Sequence, residues 1–181
     1  MFISLNFFQS LSQAANNPPA EGEKFPEIRL AIPQKGDDSK YLGLDNEKFF
    51  QIPKIKAELV LVEVFSMYCP FCQKEAPAVN NLYKLVQSDQ NLSKKIKLLG
   101  IGVGNSNYEV EAFGKHYAVP FPLLPDPDYK IHDAMGQVRT PYFIAVRIFP
   151  DGSHKVVYSQ AGGFGDAKEF LSSLLSKAKM K

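Results

Sequence analysis

The chain has two cysteines, and their position constrains its fold more than any other feature. Leu59-Val60-Leu61-Val62-Glu63-Val64-Phe65 is a β-branched and apolar run, the pattern of a strand buried on both faces. Glu63 is its one discordant residue. Cys69-Pro70-Phe71-Cys72 follows. Pro70 suits the first position of a helix, where its missing N–H has no intrahelical partner. A buried strand that passes into a helix through Cys-x-x-Cys implies an α/β fold. It also places both sulfurs at the sheet edge where such folds present reactive groups.

That position suits thiol chemistry. Cys69, at the helix start, faces unsatisfied backbone N–H groups and the positive end of the helix dipole. Both favour a thiolate, so its pKa is expected below the free value of about 8.5. Cys72 lies about one turn later on the same face, within reach of a disulfide. The exposed sulfur would attack a substrate and the shielded one would resolve the mixed disulfide. A purely stabilising disulfide is a weak alternative, because so short a loop constrains little unfolded-chain entropy. Four-thiolate metal ligation needs more cysteines, and none of His116, His132 and His154 has ligand spacing to the pair.

The remaining composition bounds the setting. A chain of 181 residues is one domain with room for a sizeable core. A net charge of +2 lacks the basic footprint of a nucleic-acid-binding surface. No apolar run reaches the length of a membrane-spanning helix. Met1 to Phe8 is apolar, but the first basic residue is Lys24. A cropped signal or anchor, an amphipathic segment that packs on the body or a partner, and a frayed tail all remain open. Asn16-Asn17-Pro18-Pro19 reads as a linker. Residues 1–22 are thus an N-terminal extension and residues 23–181 the folded domain.

Within that domain, Phe25 to Leu30 suggests an edge strand, Gly36-Asp37-Asp38 a turn, and residues 41–53 a loop or short strand. The helix opened by Pro70 keeps its apolar spacing to about Ser88, with a kink expected at Pro77. Ile96 to Val103 is a second buried strand. Residues 107–117 read as a helix, Phe121 to Leu124 as a short strand, and residues 128–135 as a helical turn or two. Tyr142 to Phe149 and Lys155 to Ser159 are strands joined by the hairpin turn Pro150-Asp151-Gly152-Ser153. Residues 166–178 form the last helix. The early strand–helix–strand units imply parallel pairing and the hairpin antiparallel pairing, giving a central mixed sheet flanked by helices on both faces.

Three segments resemble the thioredoxin superfamily, and within it the TlpA/ResA-like thiol–disulfide oxidoreductases. Val62 to Cys72 looks like the family's strand, loop and Cys-x-x-Cys helix. Arg139-Thr140-Pro141-Tyr142-Phe143-Ile144 matches the loop whose cis-proline faces the cysteines, and Phe149-Pro150-Asp151-Gly152 matches the following hairpin. Gly104 to Val138 resembles the strand–helix insertion of TlpA-like proteins. Tyr68 stands where relatives usually carry Trp, and the dipeptide Pro70-Phe71 differs from thioredoxin's Gly-Pro.

The resemblance implies a thioredoxin-like fold with an N-terminal extension, and a dithiol enzyme that needs no bound cofactor. Its partners would be protein thiols or disulfides and an upstream redox protein. Such relatives work mainly outside the cytoplasm, as in the periplasm, often in cytochrome c maturation. A monomer is expected. Pro141 is expected cis, exposing the Thr140 backbone to an extended substrate segment. Glu63, six residues before Cys69, occupies the place of a buried acid that takes the Cys72 proton, unless its carboxyl reaches water or Lys97. Tyr68, Pro70 and Phe71, with Tyr142 and Phe164, are candidates for a substrate-docking rim. Lys74 and Glu75 read as solvated, and Gly162-Gly163-Phe164-Gly165 as a flexible approach to the last helix. A peroxiredoxin-like peroxidase is an alternative, although Val62 stands where that class has Pro. A Sco-like copper-binding protein is another, although such proteins use a wider cysteine spacing.

Overall fold

The computed structural model describes residues 17–33, 36–44 and 48–180. The readings of Met1 to Phe8 lie outside the described residues. Strands β1 (Leu30–Ala31) and β2 (Phe49–Phe50) pair antiparallel as a separate ribbon. The main sheet contains β3 (Leu59–Phe65), β4 (Ile96–Val103), β5 (Leu123–Asp126), β6 (Tyr142–Ile148) and β7 (His154–Ala161). Their spatial order is β5-β4-β3-β6-β7. β3 runs parallel to β4, and β4 to β5, while β6 is antiparallel to both β3 and β7. Every residue of β3 is buried, as its continuous apolar run requires.

Helix α1 spans Gly36–Leu42, α2 Pro70–Ser88, α3 Leu92–Lys95, α4 Asn107–His116, α5 Lys130–Ala134 and α6 Ala167–Ala178. The sheet divides the core in two. On one side Val60, Val62, Val64 and Ile144 pack against Phe25, Leu30, Leu42 and Met135. On the other, Leu59, Leu61 and Phe143 pack against Val79 and Leu82 of α2 and Phe170 and Leu174 of α6. A smaller cluster continues this second side beneath the cysteines and joins Phe65, Cys72 and Ala76 to Val110 and Phe113 of α4. Each fully buried Val, Leu or Phe contributes about 1.5–3 kcal/mol of transfer free energy.

Several local expectations need correction. Phe25 to Arg29 are not strand, and the edge strand begins only at Leu30. Pro26 has no N–H to offer a ladder, and Ile28 N–H closes a tight local turn onto the Pro26 carbonyl. Just before it, Gly22 and Glu23 bond both backbone groups of Val156 at 2.8 Å and strap the chain onto β7. Gly36-Asp37-Asp38 opens helix α1 rather than a turn, with both acids in the first turn where the helix dipole favours them. The short strand begins at Leu123, two residues later than expected; Pro122 contributes only its carbonyl, to Gly100 N–H. Helix α2 does reach Ser88 as its apolar spacing implies, with Pro77 inside it on the exposed face.

Candidate active site

Strand β3 delivers the chain to the sheet edge at Phe65, and Ser66 to Tyr68 turn it into α2. Cys69 is the N-cap of that helix, with Pro70 in its first turn. Its sulfur accepts the Cys72 N–H at 3.4 Å, so a thiol takes the capping role usually filled by a hydroxyl or carboxylate. The same sulfur lies 3.4 Å from the carbonyl oxygen of Thr140, to which the thiol donates. That bond joins segments 71 positions apart, and Thr140–Pro141 is a cis peptide. Both cysteines are free thiols.

The two sulfurs differ. Cys72 is 0% exposed, whereas Cys69 is only partly buried. Burial works against ionisation of Cys69, but it is outweighed by hydrogen bonds from the Cys72 thiol, the Thr140 side chain and the backbone N–H groups of Cys72 and Phe71. Its pKa is lowered. Burial pushes the Cys72 thiol far up, reinforced by its hydrogen bond to Cys69 and by the Cys69 charge.

Glu63 sits on the α2 side of β3, 4% exposed, with Gly100 and Phe143 as its register neighbours. Its Oε1 has no hydrogen-bond partner among the described residues. Burial first, and then the charges of Glu75 and Cys69, push its pKa up to about 8. Lys97 does not reach it. That ammonium bonds the Ser93 carbonyl at 2.9 Å and lies over the Tyr41 ring.

The expected aromatic rim is only half present. Tyr68 and Phe71 are 67% and 72% exposed beside the cysteines, and Pro70 is exposed between them. Tyr142 is buried and bonds Ser159. Phe164 stacks on Phe170, with ring centroids 4.1 Å apart, and meets Phe143 edge-on. The two rings pack on opposite sides of the sheet, Tyr142 with Val64 and Ile144 and Phe164 against the α6 side. Phe164 also anchors the glycine-rich segment instead of leaving it a loose approach.

Glu75 is not simply solvated either. Its carboxylate accepts the Phe164 N–H at 3.0 Å and lies against Gly163, where a Cβ would collide with it. The available signal was spacing: three residues after Cys72, Glu75 shares its face of α2. Tyr68 donates its hydroxyl proton to Glu109 of α4, whose other oxygen accepts from Ser106. These hydrogen bonds hold the Glu109 carboxyl down to about 2. Among the described residues, no group of His, Cys, Asp and Glu could hold a metal ion, and no helix is long and apolar enough to cross a membrane.

A mixed sheet whose central strand ends in Cys-x-x-Cys, facing a cis-proline loop, defines a thioredoxin-like protein. The chain belongs to the AhpC/TSA family, which matches residues 22–158. It is similar to the thiol-disulfide oxidoreductase ResA of Bacillus subtilis, 29% identical over 102 residues, which are 55% of this chain and 54% of that one. The chain spans about half the length of the curated relatives it matches. Among solved structures it resembles a putative thiol:disulfide interchange protein DsbE from Chlorobium tepidum. The TM-score is 0.63 at 14% identity, covering 88% of this chain and 99% of that one. It also resembles a secreted disulfide oxidoreductase of Mycobacterium tuberculosis, with a TM-score of 0.57 at 17% identity, covering 83% and 96%.

Proposed function

We propose that this chain is a thiol–disulfide oxidoreductase that exchanges electrons with cysteines of protein substrates outside the cytoplasm. The supporting observation is the asymmetry of the pair: a partly exposed sulfur with a lowered pKa beside a fully buried one with a raised pKa. The similarity to ResA supports the same chemistry. The secreted relative supports the location, as does a chain whose other positions carry no cysteine to mispair. Cytochrome c maturation is the setting that the TlpA/ResA-like resemblance favours.

In the reducing direction, the Cys69 thiolate attacks a substrate disulfide. One substrate sulfur leaves as thiolate and takes a proton from solvent, and the other is held as a mixed disulfide with Cys69. Cys72 then gives up its proton and attacks the Cys69 sulfur. The second substrate sulfur leaves as thiolate, so the substrate has gained two electrons and the pair, now the Cys69–Cys72 disulfide, has lost them. Glu63 is the acceptor of the Cys72 proton. With a pKa of about 8 it is mostly protonated while Cys69 is anionic, and part of that elevation comes from the Cys69 charge itself. Mixed-disulfide formation removes that charge, so Glu63 ionises more readily at the step that needs a base. The Thr140 backbone would pair with the substrate segment, and Tyr68, Pro70 and Phe71 would line its path.

Insulin reduction driven by dithiothreitol tests the reading. The protein is expected to accelerate precipitation and Cys69→Ser is not. Equal rates would contradict it. The potential of the pair then sets direction: a value near about −270 mV marks a reductant and one near about −120 mV an oxidant.

A further inference from the structure

Two buried polar side chains of the sheet edge have contrasting partners. Asp126, at the end of β5, places its carboxylate on the Ile131 and His132 N–H groups at 3.0 and 2.8 Å, which anchors α5. Asn105, in the turn between β4 and α4, is 0% exposed and reaches away from its own helix. Its Oδ1 accepts the Met67 N–H at 2.8 Å and its Nδ2 donates to Ser66 Oγ at 3.5 Å. Gly102 makes this possible, since a Cβ there would stand 3.1 Å from Asn105 Oδ1 and closer still to Val110.

Ser66 and Met67 in turn touch the reacting pair. Cys69 N–H donates to the Ser66 carbonyl at 3.0 Å, and the Ser66 backbone hydrogen-bonds the Cys72 sulfur. Gln73 of α2 donates to the Met67 carbonyl at 2.8 Å. The loop thus has one side bonded to the thiols and the first turn of α2, and the other bonded to Asn105.

We infer that Asn105 is a positioning residue for the thiol pair. It holds Ser66 and Met67 so that Cys69 keeps its place at the helix start and the Ser66 backbone stays on the Cys72 sulfur. It acts through this loop and touches neither sulfur. The role rests on the thiol–disulfide reading above, but its test needs no protein substrate. Losing the Met67 anchor frees the loop, and small displacements at a reacting centre carry large kinetic penalties.

The test is iodoacetamide alkylation of Cys69 in the reduced full chain at pH 7, with titration of thiolate absorbance and a thermal melt alongside. Asn105→Ala is expected to melt cooperatively, to alkylate about tenfold more slowly and to titrate at higher pH. A folded Asn105→Ala with wild-type alkylation and titration overturns the role. If that variant does not fold, Ser66→Ala carries the test, because it cuts only the Nδ2 contact at a half-buried hydroxyl. Alkylation slowed by about threefold supports the role and an unchanged rate overturns it. A chain that fails to reduce insulin while Cys69 still ionises readily would sink the enzymatic reading and leave this test intact.

Discussion

Strand β3 is equally buried on its two sides, and the sides differ by one carboxyl. Val60, Val62 and Val64 face the N-terminal segment, α1 and α5, and form an uninterrupted apolar surface. Leu59 and Leu61 begin the opposite side in the same way, beneath α2 and α6. Glu63 then takes the next position on that side, and Phe65 follows in the cluster that holds Cys72. Burial alone therefore does not distinguish core from reactive centre. Among the described residues, the apolar side buries no side-chain polar atom without a partner, while the other leaves Glu63 Oε1 without one and raises the carboxyl's pKa to about 8. Such uncompensated polarity is costly to stability, and it is tolerated where chemistry uses it.

Substitutions on the two sides should separate. The largest effect is expected at the reaction centre: Cys69→Ser should abolish disulfide exchange while leaving the thermal melt essentially unchanged. Next comes Glu63→Gln. Removing the proposed proton acceptor should slow resolution of the mixed disulfide by about 10²-fold, read as accumulation of that species by mass spectrometry after rapid quenching. Val62→Ala, on the apolar side, should lose about 2 kcal/mol of stability in denaturant titration and leave Cys69 alkylation as it was. If Val62→Ala changed the thiol titration, the division between the sides would be broken. Tyr68→Phe is expected to be the mildest. It removes an exposed hydrogen bond to Glu109 and should lower exchange rates by no more than about threefold.

The pH dependence sharpens the same contrast. The folded-state pKa of Glu63, about 8, lies above its ordinary 4.5. Between those values the native chain keeps a proton that the unfolded chain releases. The stability this group contributes is complete below about pH 4.5 and is lost as pH rises through about 8. Glu63→Gln should therefore match the wild type near pH 5 and exceed it at pH 8 in denaturant titrations. Parallel stability profiles for the two proteins would contradict a buried neutral carboxyl.

Much of this arrangement is legible in the sequence, for identifiable reasons. β3 and β4 are long apolar runs because they are central strands covered on both faces, and the Cys69–Cys72 spacing locates the helix start. What stayed hidden depends on contacts between distant segments. Glu75 meets Phe164 across 89 positions, and Asn105 meets Met67 across 38. Nothing local to either residue announces its partner. Tyr142 and Phe164 read as rim residues because an aromatic side chain carries no mark of which side of a sheet will claim it. Asp37 and Asp38 suit a turn and a helix N-terminus equally well, and only the burial of Leu42 selects the helix.

The central claim is that two sulfurs one helical turn apart are shifted in opposite directions, Cys69 towards easier ionisation and Cys72 away from it. Alkylation of the reduced protein as a function of pH, with each cysteine followed separately by peptide mass spectrometry, measures it directly. Cys69 should react with a midpoint below the free-thiol value of about 8.5, while Cys72 stays unreactive throughout the range in which the fold persists. Equal midpoints, or Cys72 reacting first, would contradict the account.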